Sequence, residues 1–177
     1  MMPRMTQPTP QPLPPRHKIC LALGSNVGDR LAHLRAALAA LRPYVTVTAA
    51  SPVYETLPAY VSGQPVFLNA VVAGETALDP MALLYTVRDI ERDIGRQPTF
   101  HYGPRTIDID ILFFDDLIQH DTELTLPHPR LGEREFVLRP LADILPDWTH
   151  PVTGLSAHAM LAALPTHEAQ PTGDALA

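Results

Sequence analysis

Two aspartates one residue apart are the chemically most informative feature of the sequence. They lie in the run Ile107-Asp108-Ile109-Asp110-Ile111. Side chains alternate between the faces of a strand, so both carboxylates would project from one face and the isoleucines from the other. Close carboxylates repel each other unless divalent cations lie between them and the oxygens of a polyphosphate. The pair indicates a Mg²⁺ site, and a polar sheet face turned to solvent is the alternative.

Arginines surround the two acids in the sequence. Arg105 comes three residues before Asp108 and follows Gly103-Pro104. Arg96, Arg130 and Arg134 fall in the same stretch of the chain. The planar guanidinium matches phosphate oxygens and stays charged, so the cluster predicts a phosphate clamp. On spacing alone, unrelated surface arginines are an equal alternative.

Charge and composition narrow the class of protein. A formal net charge of −6 argues against general binding to nucleic acids or anionic membranes, because both would repel the molecule. The chain has no apolar run long enough to span a membrane and no secretory leader pattern. We therefore expect a cytoplasmic protein. The single cysteine, Cys20, lies in an apolar run and is interpreted as a buried hydrophobic residue.

Hydrophobic patterning predicts the elements that must position the acids and arginines. Short apolar or β-branched runs predict strands, and apolar residues at helical spacing between capping residues predict helices. The predicted strands cover residues 18–23, 45–54, 67–72 and 107–114, and residues 136–145 are expected to begin as extended chain. The predicted helices run from Asp29 to before Pro43 and over residues 80–94. This order predicts an α+β fold, a ferredoxin-like mixed or antiparallel sheet with helices in three α-β-α layers.

The ends of the chain differ in composition from its centre. Residues 1–16 are rich in proline and carry no periodic apolar pattern, which predicts a disordered extension. Residues 165–177 are interpreted in the same way, as a disordered tail. Residues 17–164 are then expected to form one globular domain.

The segment around the acids resembles a known family signature. Residues 103–111 match the pattern G-P-R-T-[IL]-D-[IL]-D-[IL] of the hydroxymethyl-dihydropterin pyrophosphokinases at every position. Further segments agree in the order of the family, at residues 23–26, 54–56 with Pro58, 67–70, 95–96 and 126–130. The resemblance extends over about residues 18–155.

The resemblance implies an enzyme of folate biosynthesis that transfers pyrophosphate from ATP to 6-hydroxymethyl-7,8-dihydropterin and uses two Mg²⁺ ions. The implied metal ligands are Asp108 and Asp110, which with Arg96 and Arg105 would be catalytic. The implied nucleotide contacts are Glu91, Arg96, Tyr102, Arg105, Ile111, Thr125, His128 and Arg134. The implied pterin contacts are Thr56, Leu57, Phe67, Asn69 and Phe136. A monomer without nucleic-acid or membrane partners is expected.

Taken singly, many of these residues have a structural alternative. Phe67 and Phe136 would be core residues in most proteins, and Thr56 and Asn69 suit turns or caps. His128 lies between prolines and suits a surface loop. Residues 24–26 are interpreted as a tight turn with a backbone role, since no Gly-Lys-Ser/Thr of a Walker loop follows.

One loop departs from the family pattern. Many members carry arginines and a tryptophan between the Gly-Arg pair and Gly-Pro-Arg, whereas residues 97–102 here contain neither. Pro98 should stiffen the loop, and we expect Arg96 to supply more of the phosphate clamp alone.

Two other functional classes fit parts of the sequence. A non-enzymatic nucleotide-sensing domain would need the arginines but not two carboxylates on one strand. A ferredoxin-like sheet that binds single-stranded RNA would need a basic surface and exposed aromatic residues on its central strands.

Overall fold

The computed structural model of the chain describes residues 13–177. Its helices are α1 (Arg30–Leu41), α2 (Pro80–Ile94), α3 (Glu135–Ile144) and α4 (Ala157–Ala162). Its strands are β1 (His17–Ser25), β2 (Val45–Ala50), β3 (Pro52–Thr56), β4 (Phe67–Thr76), β5 (Asp108–Phe114), β6 (Gln119–His120), β7 (Thr125–Leu126) and β8 (Gln170–Ala175). In this part of the chain, no helix combines the length and apolar character that crossing a bilayer requires.

The main sheet has six strands in the order β5-β1-β4-β3-β8, and β2 also pairs with β4. Every pairing in it is antiparallel. Because β2 and β3 both lie along β4, they act as two halves of one strand, and β1 to β5 then follow the βαββαβ order of ferredoxin-like folds. The predicted α+β fold is confirmed. Strand β5, which carries the two acids, lies at an edge of the sheet.

The sheet separates two hydrophobic cores. The first lies under α1 and α2, where Leu34 and Leu83 pack with Leu21 and Ile109 of the sheet. The second lies under α3 and α4. The alternation of β1 explains the division, since Ile19, Leu21 and Leu23 enter the first core and Cys20 enters the second. The three α-β-α layers and the buried cysteine agree with the sequence predictions.

Helix α2 has the predicted bounds because both ends are capped by local chemistry. The Asp79 carboxylate accepts a hydrogen bond from the Ala82 amide at 2.8 Å, and Pro80 occupies the first turn. At the other end Gly95 adopts φ 109°, a left-handed conformation that favours glycine. The Arg96 amide then donates to the Glu91 carbonyl, which directs the chain toward β5.

The prediction that residues 136–145 begin as extended chain was wrong. These residues form most of helix α3, which buries Val137, Leu138 and Leu141 in the second core. The buried residues are spaced i, i+1 and i+4, which is the pattern of one helix face and contradicts an extended chain. Packing against α4 and β4 selects the helix here.

The prediction of a disordered tail over residues 165–177 was also wrong for its last part. Strand β8 pairs with the edge strand β3, and Leu176 is only 2% exposed within the first core. The side chains of β8 lack a strand-like pattern, and its order comes from backbone pairing with an open sheet edge. Most of the predicted N-terminal extension, residues 1–12, lies outside the described residues.

Replacing Leu176 by alanine should lower the free energy of unfolding by about 2–4 kcal/mol, because a buried leucine leaves a cavity. Urea denaturation would measure the change, with Leu155→Ala as the matched control at an exposed leucine. A loss no larger than that of the control would contradict the docking of the tail.

Candidate active site around two aspartates

Asp108 and Asp110 project from one face of β5, as the alternation predicts. Their partners on β1 are Gly24 and Ala22, two small residues that leave space beside the carboxylates. A Cβ atom at Gly24 would lie 3.0 Å from Oδ1 of Asn69, so only glycine fits this position without displacement of that amide. Ile107, Ile109 and Ile111 enter the first core. The acids therefore face an open volume and the isoleucines face the core.

Two cavities meet at the acidic pair. The first has a volume of about 320 Å³ and lies between β1, β3, β4 and the start of α3. The second has a volume of about 390 Å³ and lies between α2 and the edge strand β5. The residues that line both are Arg105, Asp108, Asp110, His128 and Pro129. Ligands in the two cavities would therefore face each other across the carboxylates.

The first cavity is lined by every residue that the family resemblance assigns to pterin binding. They are Thr56, Leu57, Phe67, Asn69 and Phe136. The amide nitrogen of Asn69 donates to the Thr56 hydroxyl oxygen at 2.6 Å, so the two polar groups form one hydrogen-bonding edge. The aromatic side chains of Phe67 and Phe136 supply apolar walls. The cavity suits a flat heterocycle with a polar edge.

The second cavity is lined by most of the residues that the family resemblance assigns to nucleotide binding. They are Glu91, Arg96, Arg105, Ile111, Thr125 and His128. Two others, Tyr102 and Arg134, line the first cavity instead. Sequence reasoning missed Leu84, Val87 and Arg88, which line the cavity from α2. These residues have the helical spacing i, i+3 and i+4 and share a face of α2 with Glu91. That spacing was the signal by which the sequence could have identified them.

Two arginines converge on Asp108. The Arg96 guanidinium donates to its Oδ1 at 2.9 Å, and the Arg105 guanidinium donates to its Oδ2. The Nε atom of Arg105 is buried and has no hydrogen-bond partner within the protein. A buried donor without a partner is costly, and a bound anion or a water would supply the missing acceptor. Arg105 is thus suited to an anionic ligand at the junction of the cavities.

Asp110 has a different electrostatic environment. Its Oδ2 lies 3.4 Å from a guanidinium nitrogen of Arg134 and 3.7 Å from Nε2 of His128. Burial first, and then repulsion from Asp108, raise the pKa of Asp110. Burial and the charge of Arg134 lower the pKa of His128 to about 4, so its imidazole is neutral near pH 7. A positive charge between the carboxylates would relieve the repulsion.

Glu91 holds Arg96 in place. This carboxylate is 6% exposed, accepts from the Ile109 amide at 2.7 Å and forms an ion pair with Arg96. Burial raises its pKa, and the bonds from Ile109 and Arg96 oppose that shift. Glu91 therefore ties the end of α2 to β5 and orients the guanidinium toward Asp108.

Asn26 positions Arg105 through hydrogen bonds to its backbone, a role that the sequence did not reveal. Its side-chain Oδ1 accepts a hydrogen bond from the backbone amide of Arg105 at 2.8 Å, and its backbone amide donates to the Arg105 carbonyl at 3.1 Å. Its side-chain nitrogen donates to Gln64 and to the carbonyl of Pro65. The turn at residues 24–26 was assigned a backbone role, and Asn26 adds a buried side chain that joins three loops.

Replacing Asn26 by alanine should weaken the support of Arg105 and lower the turnover rate of the protein by about 10-fold to 100-fold, since small misplacements at a reacting centre are costly. The assay is the one described under Proposed function. The expected signature is a loss in kcat, because Arg105 lies at the junction of the cavities. An unchanged kcat would contradict this role.

Comparisons with known proteins agree with the geometry. A sequence profile of the family described as 7,8-dihydro-6-hydroxymethylpterin-pyrophosphokinase (HPPK) matches residues 20–146. The 2-amino-4-hydroxy-6-hydroxymethyldihydropteridine pyrophosphokinase of Bacillus subtilis is 47% identical over 126 residues, which cover 70% of this chain and 75% of that protein. The mitochondrial folate synthesis bifunctional protein of Arabidopsis thaliana is 48% identical over 130 residues, 73% of this chain and 24% of that protein.

The structural comparison supports the same fold. The crystal structure of Plasmodium falciparum HPPK-DHPS with pteroate matches with a TM-score of 0.70 at 18% identity, over 86% of this chain and 43% of that chain. The chain spans about a fifth to a quarter of the length of the plant and fungal folate synthesis proteins that it matches.

Proposed function

Because this chain belongs to the 7,8-dihydro-6-hydroxymethylpterin-pyrophosphokinase family, we propose that it transfers the terminal diphosphate of ATP to 6-hydroxymethyl-7,8-dihydropterin in folate biosynthesis. The products are the pterin diphosphate and AMP. The observation that carries the proposal is the pair of cavities that share Arg105, Asp108 and Asp110. An acceptor in one cavity and a nucleotide in the other would place their reacting groups beside the same three side chains.

The pterin would occupy the first cavity. Its donor and acceptor edge would meet Thr56 and Asn69, which already form a hydrogen-bonded pair, with Leu57 beside them. Its rings would pack between Phe67 and Phe136. The hydroxymethyl group would then point toward the acids, because these line the first cavity and also the second.

ATP would occupy the second cavity. Residues from α2 and β5, including Glu91 and Ile111, with Thr125 of β7, would surround the nucleoside. The triphosphate would extend to the cavity junction, where His128 is held neutral beside Asp110. Arg134 would meet the phosphates from the first cavity, and Tyr102 would close that side.

Mg²⁺ fits the donor set at the junction. The carboxylates of Asp108 and Asp110 would offer hard oxygen ligands on one face of β5. A bound cation would also lower the raised pKa of Asp110. Among residues 13–177, no group of three or more His, Cys, Asp and Glu side chains could hold a metal. Phosphate and water oxygens would complete the coordination of two ions. When bound, Mg²⁺ would neutralise charge on the phosphate oxygens.

The reaction is an in-line displacement at phosphorus. The hydroxymethyl oxygen forms a bond to the β-phosphorus of ATP, the bond from that phosphorus to the oxygen bridging to the α-phosphorus breaks, and AMP leaves. The hydroxyl proton passes to solvent, and no side chain is assigned as a dedicated base. Arg96 and Arg105 stabilise the charge that develops on the transferred group, as in phosphoryl transfer generally.

The decisive experiment measures AMP formation from ATP and Mg²⁺, with and without 6-hydroxymethyl-7,8-dihydropterin. Asp108→Asn is the test variant, and EDTA replaces Mg²⁺ in a parallel reaction. We expect AMP release that depends on the pterin, is lost in the variant and is lost with EDTA. Binding of both ligands without AMP would instead favour a nucleotide-sensing domain. Retention of single-stranded RNA at modest salt would favour the RNA-binding alternative.

We also propose that the protein acts as a cytoplasmic monomer. Two plant relatives carry the word mitochondrial in their names, so the compartment differs among relatives. Sedimentation equilibrium should give a single species near 19.4 kDa. A concentration-dependent mass of twice that value would contradict the monomer.

A further inference from the structure

Four side chains from three loops form a compact cluster at the rim of the first cavity. They are Tyr60, Tyr102, Arg130 and Arg134, here called the rim cluster. Tyr60 belongs to the loop between β3 and β4, Tyr102 to the loop between α2 and β5, and the arginines to the segment before α3. Neither Tyr60 nor Arg130 has a role in the reaction as proposed above.

Tyr60 contacts every other member of the rim cluster. Its hydroxyl oxygen accepts a hydrogen bond from Nε of Arg134 at 3.0 Å. Its ring lies 4.3 Å from the guanidinium carbon of Arg130 and 5.6 Å from that of Arg134. Its ring centroid is 4.4 Å from that of Tyr102. One tyrosine thus holds two guanidinium groups by cation–π attraction and one of them also by a hydrogen bond.

The far end of Arg134 reaches the reacting groups. A terminal guanidinium nitrogen lies 3.4 Å from Oδ2 of Asp110, and the Arg134 side chain is only 11% exposed. The same guanidinium lies 5.4 Å from the Phe136 ring. Arg134 is therefore fixed at its Nε by Tyr60 and at its terminus by Asp110. A long side chain held in one rotamer has already lost the entropy that phosphate binding would otherwise cost.

Arg130 connects Tyr60 to the neighbouring loop. Its terminal nitrogen donates to the Tyr102 hydroxyl at 2.6 Å. The Tyr102 carbonyl in turn accepts from the side chain of Gln64 at 2.7 Å, and Gln64 lies in the same loop as Tyr60. These contacts join the two loops over the first cavity. The ring of Tyr60 is the shared surface on which they meet.

We propose that Tyr60 is a positioning residue with two separable parts. Its hydroxyl orients Arg134 for the triphosphate of ATP. Its ring, through Arg130, holds the loop of Tyr102 over the pterin cavity. This inference rests on the proposed function, because it takes ATP as the ligand that Arg134 meets. The alternative is that Tyr60 only packs at the surface, since its residue is 39% exposed.

The hydroxyl is tested by a double-mutant cycle with Tyr60→Phe and Arg134→Gln. Equilibrium binding of ATP with Mg²⁺ is measured by calorimetry without pterin, and kcat and KM are measured with it. Tyr60→Phe keeps the ring, so it should weaken ATP binding by about fivefold, as expected for a partly exposed hydrogen bond to a charged group. In the Arg134→Gln background the same change should have no further effect. Tyr44→Phe, at an exposed tyrosine outside both cavities, is the matched control.

The ring is tested by Tyr60→Leu, which removes the surface shared by Arg130 and Tyr102. We expect the KM for the pterin to rise about fivefold or more in Tyr60→Leu and to stay within twofold in Tyr60→Phe. Equal pterin KM values in the two variants would overturn the role of the ring.

The outcomes of the cycle separate this inference from the proposed function. Equal weakening of ATP binding in both backgrounds, or none in either, would overturn the role of the hydroxyl. Wild-type protein that binds ATP but forms no AMP with the pterin would overturn the proposed function alone, because the cycle is still measured by binding. Wild-type protein that does not bind ATP would overturn both.

Discussion

Replacing Asp110 by asparagine should lower the rate of pterin-dependent AMP release by about 10³-fold, the scale of losing a principal electrostatic contact in the transition state. Asp110 is one of two carboxylates that line both cavities. The amide keeps the shape of the side chain but removes the charge that would attract Mg²⁺. Asp116→Asn, at an exposed acid just after β5, is the matched control.

The same substitution should not lower the stability of the protein, so a loss of activity could not be attributed to unfolding. The pKa of Asp110 is raised in the folded protein, so its ionised form is less favourable there than in the unfolded chain. The cost to folding begins as the pH rises above the unfolded pKa of Asp110 and reaches its full size above the folded pKa of about 7, and asparagine removes that cost. We expect the metal-free variant to be at least as stable as the wild type at pH 7. Near-normal turnover in Asp110→Asn would remove the metal-site assignment.

Replacing Arg105 by alanine should lower kcat by about 10² to 10³-fold, comparable to removing one preorganised donor to developing charge. Arg105 lines both cavities, contacts Asp108 and has a buried Nε without a protein partner. Arg105→Lys should recover only a part of the loss, because an ammonium group restores the charge but not the planar fork. Rapid-quench measurement of AMP in a single turnover would report the chemical step directly.

Arg92→Gln is the control for this prediction. Arg92 is on α2 beside Glu91, but its side chain is 70% exposed and lines neither cavity. A loss confined to the KM for ATP in Arg105→Ala would mean that Arg105 binds the ground state and the transition state equally, which would contradict its catalytic role.

The contacts of Arg96 and Arg130 explain how the site keeps its positive charge although residues 97–102 carry no arginine. The sequence predicted that Arg96 would supply more of the phosphate clamp, since residues 97–102 contain no arginine. Arg96 is held by Glu91 and Asp108, which prearranges it without help from that loop. Arg130 reaches Tyr102 from another segment and brings positive charge to the same rim. Comparing Arg96→Gln with Arg130→Gln would measure how much each arginine contributes to ATP binding.

The sequence by itself determined the elements whose pattern is local. The alternation in β5 separated the acids from the isoleucines, and capping residues predicted helix α2 over about residues 80–94, as observed. The family signature contains Arg105, Asp108 and Asp110, three of the five residues that line both cavities. These inferences succeed because strand alternation and helix capping depend on neighbours within a few positions.

Only the tertiary structure decided the features that depend on contacts between distant residues. Asn26 supports Arg105 across 79 positions of sequence, and Tyr60 reaches Arg134 across 74. Strand β8 is ordered by pairing with the free edge of β3. A side chain that acts through a partner so far along the chain leaves no local periodicity, because its energy arises only once folding has brought the two segments together.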